Sequence, residues 1–299
     1  MVKRVVRLQG PARLPWQRPA RLWLQRPVRL PRRRARVLSE GLVLVAVAAI
    51  VFLAGATVTG CGDDRSPTTP ITPSGTSRPL NQQVDTADIT FFFAEGDGVN
   101  ADYMQAYHEW AVPYLGITMP QRLRYFKYLD MSHMREITGQ PYGSWADVEQ
   151  YAVHSVERQQ GHEAAHCYSR AIGWPSNFFT EGIAVALDID PYTGREVEFF
   201  GAPAHTLCRG WLMAGSIYPL RDIVENSGFD SHQWGQTYPQ AGSFTRFLIA
   251  EYGLETWKEM FRAIGDYDST ETILAAFEDV YGISLHAAER RWHDFLRSS

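Results

Sequence analysis

The stretch from His162 to Asp188 constrains the fold most, because it reads as two helices whose faces must meet. It opens with His162-Glu163-Ala164-Ala165-His166, breaks at Gly173-Trp174-Pro175-Ser176-Asn177, and resumes with Phe178-Phe179-Thr180-Glu181-Gly182-Ile183-Ala184. Residues four apart on an α-helix lie one above the other, so His162 and His166 can aim two imidazole nitrogens at one point. That pairing suits Zn2+, which binds histidine nitrogen at about 2.0–2.1 Å in a tetrahedron and, at catalytic centres, leaves one corner for water. Glu181 is the expected third ligand. The 14 residues between it and His166 suffice to finish one helix, turn, and start a second antiparallel to it. Glu163 stands about a third of a turn off the ligand face, so it should border the metal and act as general base and acid. Zinc brings the pKa of bound water to about 7, and a neighbouring carboxylate can take its proton during attack on a polarised carbonyl. The implied reaction is amide hydrolysis.

These residues, His162-Glu163-x-x-His166 followed by Thr180-Glu181-Gly182-Ile183-Ala184, resemble the glutamate-zincin branch of the metallopeptidases, the peptidase MA-like group of thermolysin and aminopeptidase N. The resemblance runs over roughly residues 86 to 299 and takes in Tyr238 to Leu248, Glu251-Tyr252-Gly253 and the closing Ala276-Phe277 to Trp292 stretch. It implies an α+β, zincin-like fold, with a small β-containing N-terminal lobe, a helical C-terminal lobe and the zinc cleft between them. It also implies a peptide or protein substrate. The position four after Glu181, where an acid would orient a ligand, is Val185.

Residues 1 to 36 hold 12 of the 29 Lys and Arg and no acid, in a repeated Pro-x-Arg-Leu phrase that can build no core. A basic tract directly ahead of an apolar run has the layout of a long signal-peptide n-region, and the layout suits translation starting nearer Val37. Gly41 to Gly60 is uncharged over 20 residues, long enough to span a bilayer. Val58-Thr59-Gly60-Cys61 then resembles the lipobox of bacterial lipoproteins, which implies cleavage before Cys61, a lipid on that cysteine, and an exported protein tethered at the cell envelope. Residues 1 to 60 are thus expected as n-region and signal peptide. Residues 61 to 85, rich in Asp, Ser, Thr and Pro, are expected as a disordered stalk that buries too little apolar surface to offset its ordering entropy. Residues 61 to 299 hold 17 Lys and Arg against 32 Asp and Glu, a net charge of −15, which argues against nucleic acid as a partner.

The folded part, expected over 86 to 299, is long enough for one large domain or two lobes. Ala87 to Ala94 and Gln121 to Leu129 read as strands, and Asn100 to Leu115 carries Tyr103, Ala106, Tyr107, Trp110 and Ala111 at helical spacing, a core stripe. Gln150 to His154 reads as a third strand, placed where the resembled family has the edge strand that pairs with an extended peptide. Ser144-Trp145-Ala146-Asp147 also reads as a capping box that would start a helix there. Gly161 either admits a close backbone or marks the true start of the zinc helix. Asp190 to Gly215 looks loop-like, and helices are expected over Gly242–Tyr252, Leu254–Ile264, Thr270–Tyr281 and Ser284–Leu296, with Leu285, Ala288 and Trp292 as a core stripe.

Cys167 and Cys208 remain once Cys61 is set aside; in an exported protein they either form a disulfide or stay as buried thiols. Peptide hydrolysis also needs a donor for the developing oxyanion. Tyr238 is the expected one, ahead of His232 and His205. The sequence thus points to an envelope-anchored zinc metallopeptidase. Its rivals are a surface binding protein that keeps the fold without turnover and a zinc hydrolase of non-peptide amides.

Overall fold

A computed structural model describes residues 78 to 298. The basic tract, the apolar run, Cys61 and most of the stalk lie outside them. Among the described residues no helix is long and apolar enough to cross a membrane.

The described residues are α+β, with every strand before residue 156, two helices among the strands, and helices alone from 161 onward. The strands are β1 (Gln82–Asp85), β2 (Ile89–Phe93), β3 (Leu123–Lys127), β4 (Ser144–Asp147) and β5 (Ala152–Ser155), in the order β1-β2-β3-β5-β4. The inner pairs β2/β3 and β3/β5 are parallel, and β1 and β4 close the two sides as antiparallel strands. Parallel neighbours need a crossover. Helix α1 (Ala101–Leu115) provides it between β2 and β3, and α2 (Met131–Thr138) with β4 fills the connection from β3 to β5.

Alternation decides which side of the sheet meets the core. Ile89 and Phe91, Leu123 and Tyr125, and Val153 are fully buried on one face. The expected stripe of α1 covers that face through Tyr103, Tyr107 and Ala111. Asn100 caps α1 by accepting from the Tyr103 amide, and Gly116, left-handed at φ 59°, ends it.

The helical part holds α3 (Gly161–Ser169), α4 (Asn177–Leu187), α5 (Ala204–Ala214), α6 (Leu220–Ile223), α7 (Asn226–Ser231), α8 (Trp234–Tyr252), α9 (Leu254–Ala263), α10 (Thr270–Tyr281) and α11 (Leu285–Ser298). Helix α4 is the centre of this part. Ten of its 11 residues, all but Asn177, are buried, with α3 and α8 packed along it. The expected Leu285, Ala288 and Trp292 stripe is buried, and the Trp292 indole donates to Ser243 Oγ at 3.0 Å.

Four sequence expectations change. The fold starts before residue 86: β1 pairs with β2, and His133 Nε2 bonds the Arg78 carbonyl at 2.6 Å. Gln150–His154 does contribute a strand, but β5 lies inside the sheet; the side strand is β4, the segment whose Ser-x-x-Asp pattern resembled a helix start. Cross-strand partners decide the matter, since Ser144 Oγ bonds Ser155 Oγ at 2.7 Å and Trp145 stacks on His154. Helix α5 stands within the expected loop. Only Ala204 and Cys208 of it are buried, too little apolar pattern to be read from sequence. Helix α8 begins at Trp234, a full two turns before Gly242, with Pro239 inside it.

Candidate metal centre

Gly161 is the first residue of α3, so the glycine marks a helix start. It also admits a close neighbour: a Cβ there would stand 3.2 Å from both Asp188 Oδ1 and the Tyr107 ring. After Ser169 the chain turns through Gly173, and α4 is seated by residues far away in sequence. The Asn177 amide donates to Asn226 Oδ1 at 2.6 Å, and Ser176 Oγ donates to the Val224 carbonyl at 2.6 Å.

Gly182 explains why a glycine follows Glu181. A Cβ there would sit 2.5 Å from Thr245 Oγ1 and 3.0 Å from the Ala241 carbonyl oxygen of α8. Gly242 faces it from the other side, where a Cβ would run into Val185. The two glycines let the helices approach backbone to backbone. The far end of α4 is fixed by Arg246, whose Nε and Nη2 each donate at 3.0 Å, to the Ala186 and Val185 carbonyls, and whose guanidinium pairs with Glu196.

These anchors bring His162, His166 and Glu181 together. His162 Nε2 lies 3.0 Å from Glu181 Oε2, His166 Nε2 lies 3.3 Å from the same oxygen, and the two Nε2 atoms are 3.2 Å apart. Zinc bonds of 2.0–2.1 Å in a tetrahedron require ligand atoms about 3.3–3.4 Å apart, so the triangle has close to the dimensions of one face of such a tetrahedron. The donor set, two imidazole nitrogens and one carboxylate, suits the same ion. Among the described residues no other cluster of three such groups occurs.

The three groups support one another electrostatically. Burial would depress the His162 pKa, but the Glu181 hydrogen bond and charge, with Glu163 and Asp188, raise it to about 9. Burial likewise opposes ionisation of Glu181, and the two imidazoles overcome it, bringing its pKa to about 2. Both directions describe a carboxylate held ionised beside positive charge, which a divalent cation would also supply. His166 Nδ1 is buried and has no hydrogen-bond partner among the described residues.

Glu163 is 3% exposed beside this cluster, and its charge acts on His162. Tyr238, on the second turn of α8, is buried with its ring 6.3 Å from that of His162 and nearly parallel to it. The other two donor candidates are engaged elsewhere. His205 Nδ1 bonds Ser243 Oγ at 2.7 Å, and His232 Nδ1 bonds the Gly228 carbonyl at 2.7 Å. Cys167 and Cys208 are free, buried thiols with different partners, the carbonyls of Ala152 and Pro239; the disulfide alternative is not the one the structure adopts.

Sequence reasoning missed Asp188 and Trp174. Asp188 ends α4; burial raises its carboxyl pKa to about 6, against the lowering charges of His162 and Arg246. It stands seven positions after Glu181, two helical turns on the same face, a spacing the four-residue expectation overlooked. The Trp174 ring lies 6.2 Å from that of His166, edge to face. No protein-family model and no curated protein sequence matches the chain.

Proposed function

We propose that the protein is a zinc-dependent peptidase of the cell envelope, held by His162, His166 and Glu181 on the metal, with Glu163 as general base and acid. The observation that carries this reading is the 3.0, 3.2 and 3.3 Å triangle of ligand atoms with a buried carboxylate beside it. When bound, zinc would supply a Lewis acid that polarises the scissile carbonyl and acidifies water near neutral pH. Glu163 accepts the proton of the attacking water and delivers it to the departing amine, so the proton count closes without another group. Tyr238 offers its hydroxyl to the carbonyl oxygen as negative charge gathers there. The Val58-Thr59-Gly60-Cys61 run supports a lipid anchor and an exported site.

Strand β4 supports a peptide rather than a compact substrate. It is one of the two outer strands of the described sheet and the one against which α3 packs, and an edge strand offers unpaired amides and carbonyls to an extended chain.

The test is zinc content by mass spectrometry together with cleavage of a quenched peptide library. Wild type should hold one zinc per chain and cleave. Glu163→Gln should keep the metal and lose hydrolysis by at least about a hundredfold, in line with general-base catalysis, whereas His162→Ala and Glu181→Ala should lose both. Zinc retained by His162→Ala would sink the ligand assignment, and zinc without cleavage in wild type would sink the peptidase reading.

A further inference from the structure

The face of the sheet turned away from the core carries one ring on each of four consecutive strands. Phe92 of β2 is in register with Phe126 of β3, Phe126 with His154 of β5, and His154 with Trp145 of β4. The rings stack face to face: Phe92 and Phe126 at 4.9 Å and 14°, Phe126 and His154 at 4.8 Å and 11°, His154 and Trp145 at 4.2 Å and 2°. The first two separations match the strand spacing of about 4.7–4.9 Å and the last is closer, so the ladder gains one ring with each added strand. Burial holds the His154 imidazole down to a pKa of about 3, and its Nδ1 bonds the Tyr128 hydroxyl at 2.8 Å, so the ladder is uncharged at neutral pH.

Phe126 and His154 have both faces covered. Trp145 has one face on His154, and its other face looks toward the side of the sheet, where among the described residues no strand follows. The phase of the backbone bonds fixes what an added strand would find there. The Val156 amide donates to the Gly143 carbonyl at 3.0 Å. Bonded and non-bonded pairs alternate along an antiparallel ladder. Trp145 and Asp147 therefore bond β5, and Ser144 and Ala146 turn their amides and carbonyls outward. A peptide added antiparallel would bond Ala146 and Ser144 and place one residue opposite Trp145 in a non-hydrogen-bonded pair, the closer of the two side-chain approaches.

We infer that Trp145 is a specificity-determining residue: the preferred substrate is an extended peptide with an aromatic side chain opposite Trp145, where it becomes the fifth ring of the ladder. This rests on the peptidase reading for the occupant of the edge. Because side chains alternate, the residues on either side of that aromatic point to the opposite face of the sheet, and α3, which carries His162 and His166, packs against β4.

Matched peptides carrying Phe, Tyr or Ala at each successive position test the inference on the full chain. At one position the aromatic peptide should be cleaved with about three- to tenfold higher kcat/KM than the alanine peptide, the range of an aromatic pair. Trp145→Ala and Trp145→Leu should bring that ratio close to one, and Trp145→Phe should keep most of it. A ratio measured on a single sample is independent of the fraction folded, so a destabilised variant still reports. No aromatic preference at any position, or one that survives Trp145→Leu, overturns the inference while leaving the peptidase reading intact. If zinc is bound and no peptide is cleaved, equilibrium binding of the same peptides to wild type decides. Trp145-dependent preference for the aromatic peptide then upholds the recognition and removes only the peptidase; its absence overturns both. Trp145-dependent dimerisation of the chain in sedimentation, without peptide preference, would assign the edge to a second copy and likewise overturn the inference.

Discussion

Replacing Gly182 by alanine tests whether close helix contact holds Glu181 in place. The added Cβ would meet Thr245 Oγ1 at 2.5 Å and the Ala241 carbonyl oxygen at 3.0 Å. Neither gives easily: Ala241 is helix backbone, and threonine on a helix has only two accessible χ1 rotamers. Overpacking of this kind costs about 1–3 kcal/mol, and alanine's better helix propensity returns up to about 1 kcal/mol, leaving a net loss of about 1–2 kcal/mol. For a folded part of this size that is a fall in Tm of roughly 2–8 °C. Thr245 Oγ1 is buried without a hydrogen-bond partner, so Thr245→Ala removes the worst contact without breaking a bond. Urea unfolding of wild type, Gly182→Ala, Thr245→Ala and the double variant completes a cycle whose coupling should favour the double variant by about 1 kcal/mol. Zinc affinity should weaken in Gly182→Ala and partly recover in the double variant, because Glu181 is the adjacent residue. Unchanged stability in Gly182→Ala, or additivity in the cycle, would refute the contact argument.

The ring ladder and the thiols give two further predictions. His154 has its pKa depressed to about 3 by burial, with Arg124 adding to the effect, whereas an unfolded histidine titrates near 6.5. Its contribution is therefore complete above about pH 6.5 and is lost as pH falls toward 3, because the unfolded chain takes up a proton that the folded one refuses. Between pH 7 and pH 4.5 wild type should lose roughly 2–3 kcal/mol more than His154→Phe in urea unfolding; equal losses would show that His154 is not buried neutral. Cys167 and Cys208 should be alkylated without reductant after denaturation and resist alkylation when folded, as read by peptide mass; a requirement for reductant would restore the bridge.

The His162, His166 and Glu181 cluster was legible because it is a local, periodic signal. His162 and His166 share a helix face by spacing alone, and Glu181 needs only one turn to reach them. What the sequence left hidden depends on distant partners. Ser144 to Asp147 carries a helix-start pattern, and Ser155 and His154 on the neighbouring strand make it β4. Helix α5 has only Ala204 and Cys208 to mark it as buried, and its docking uses His205 on Ser243, 38 residues away. The role of Gly182 is written in α8, and that of Asp188 in the face it shares with Glu181 rather than in a four-residue spacing. Tyr238 stacks near His162, whereas His205 Nδ1 and His232 Nδ1 are taken up by Ser243 and the Gly228 carbonyl, partners that sequence spacing does not announce.

The enclosure of α4 carries a consequence for how the centre comes into being. A helix with ten of 11 residues buried has amides that open to solvent only with the whole core, so its hydrogen exchange should be among the slowest in the chain. Glu181 is therefore delivered by global folding and not by a loop closing over an ion. On the proposed zinc reading, core formation and metal binding are then separable, and a chelator should leave the slow-exchanging amides of α4 where they were.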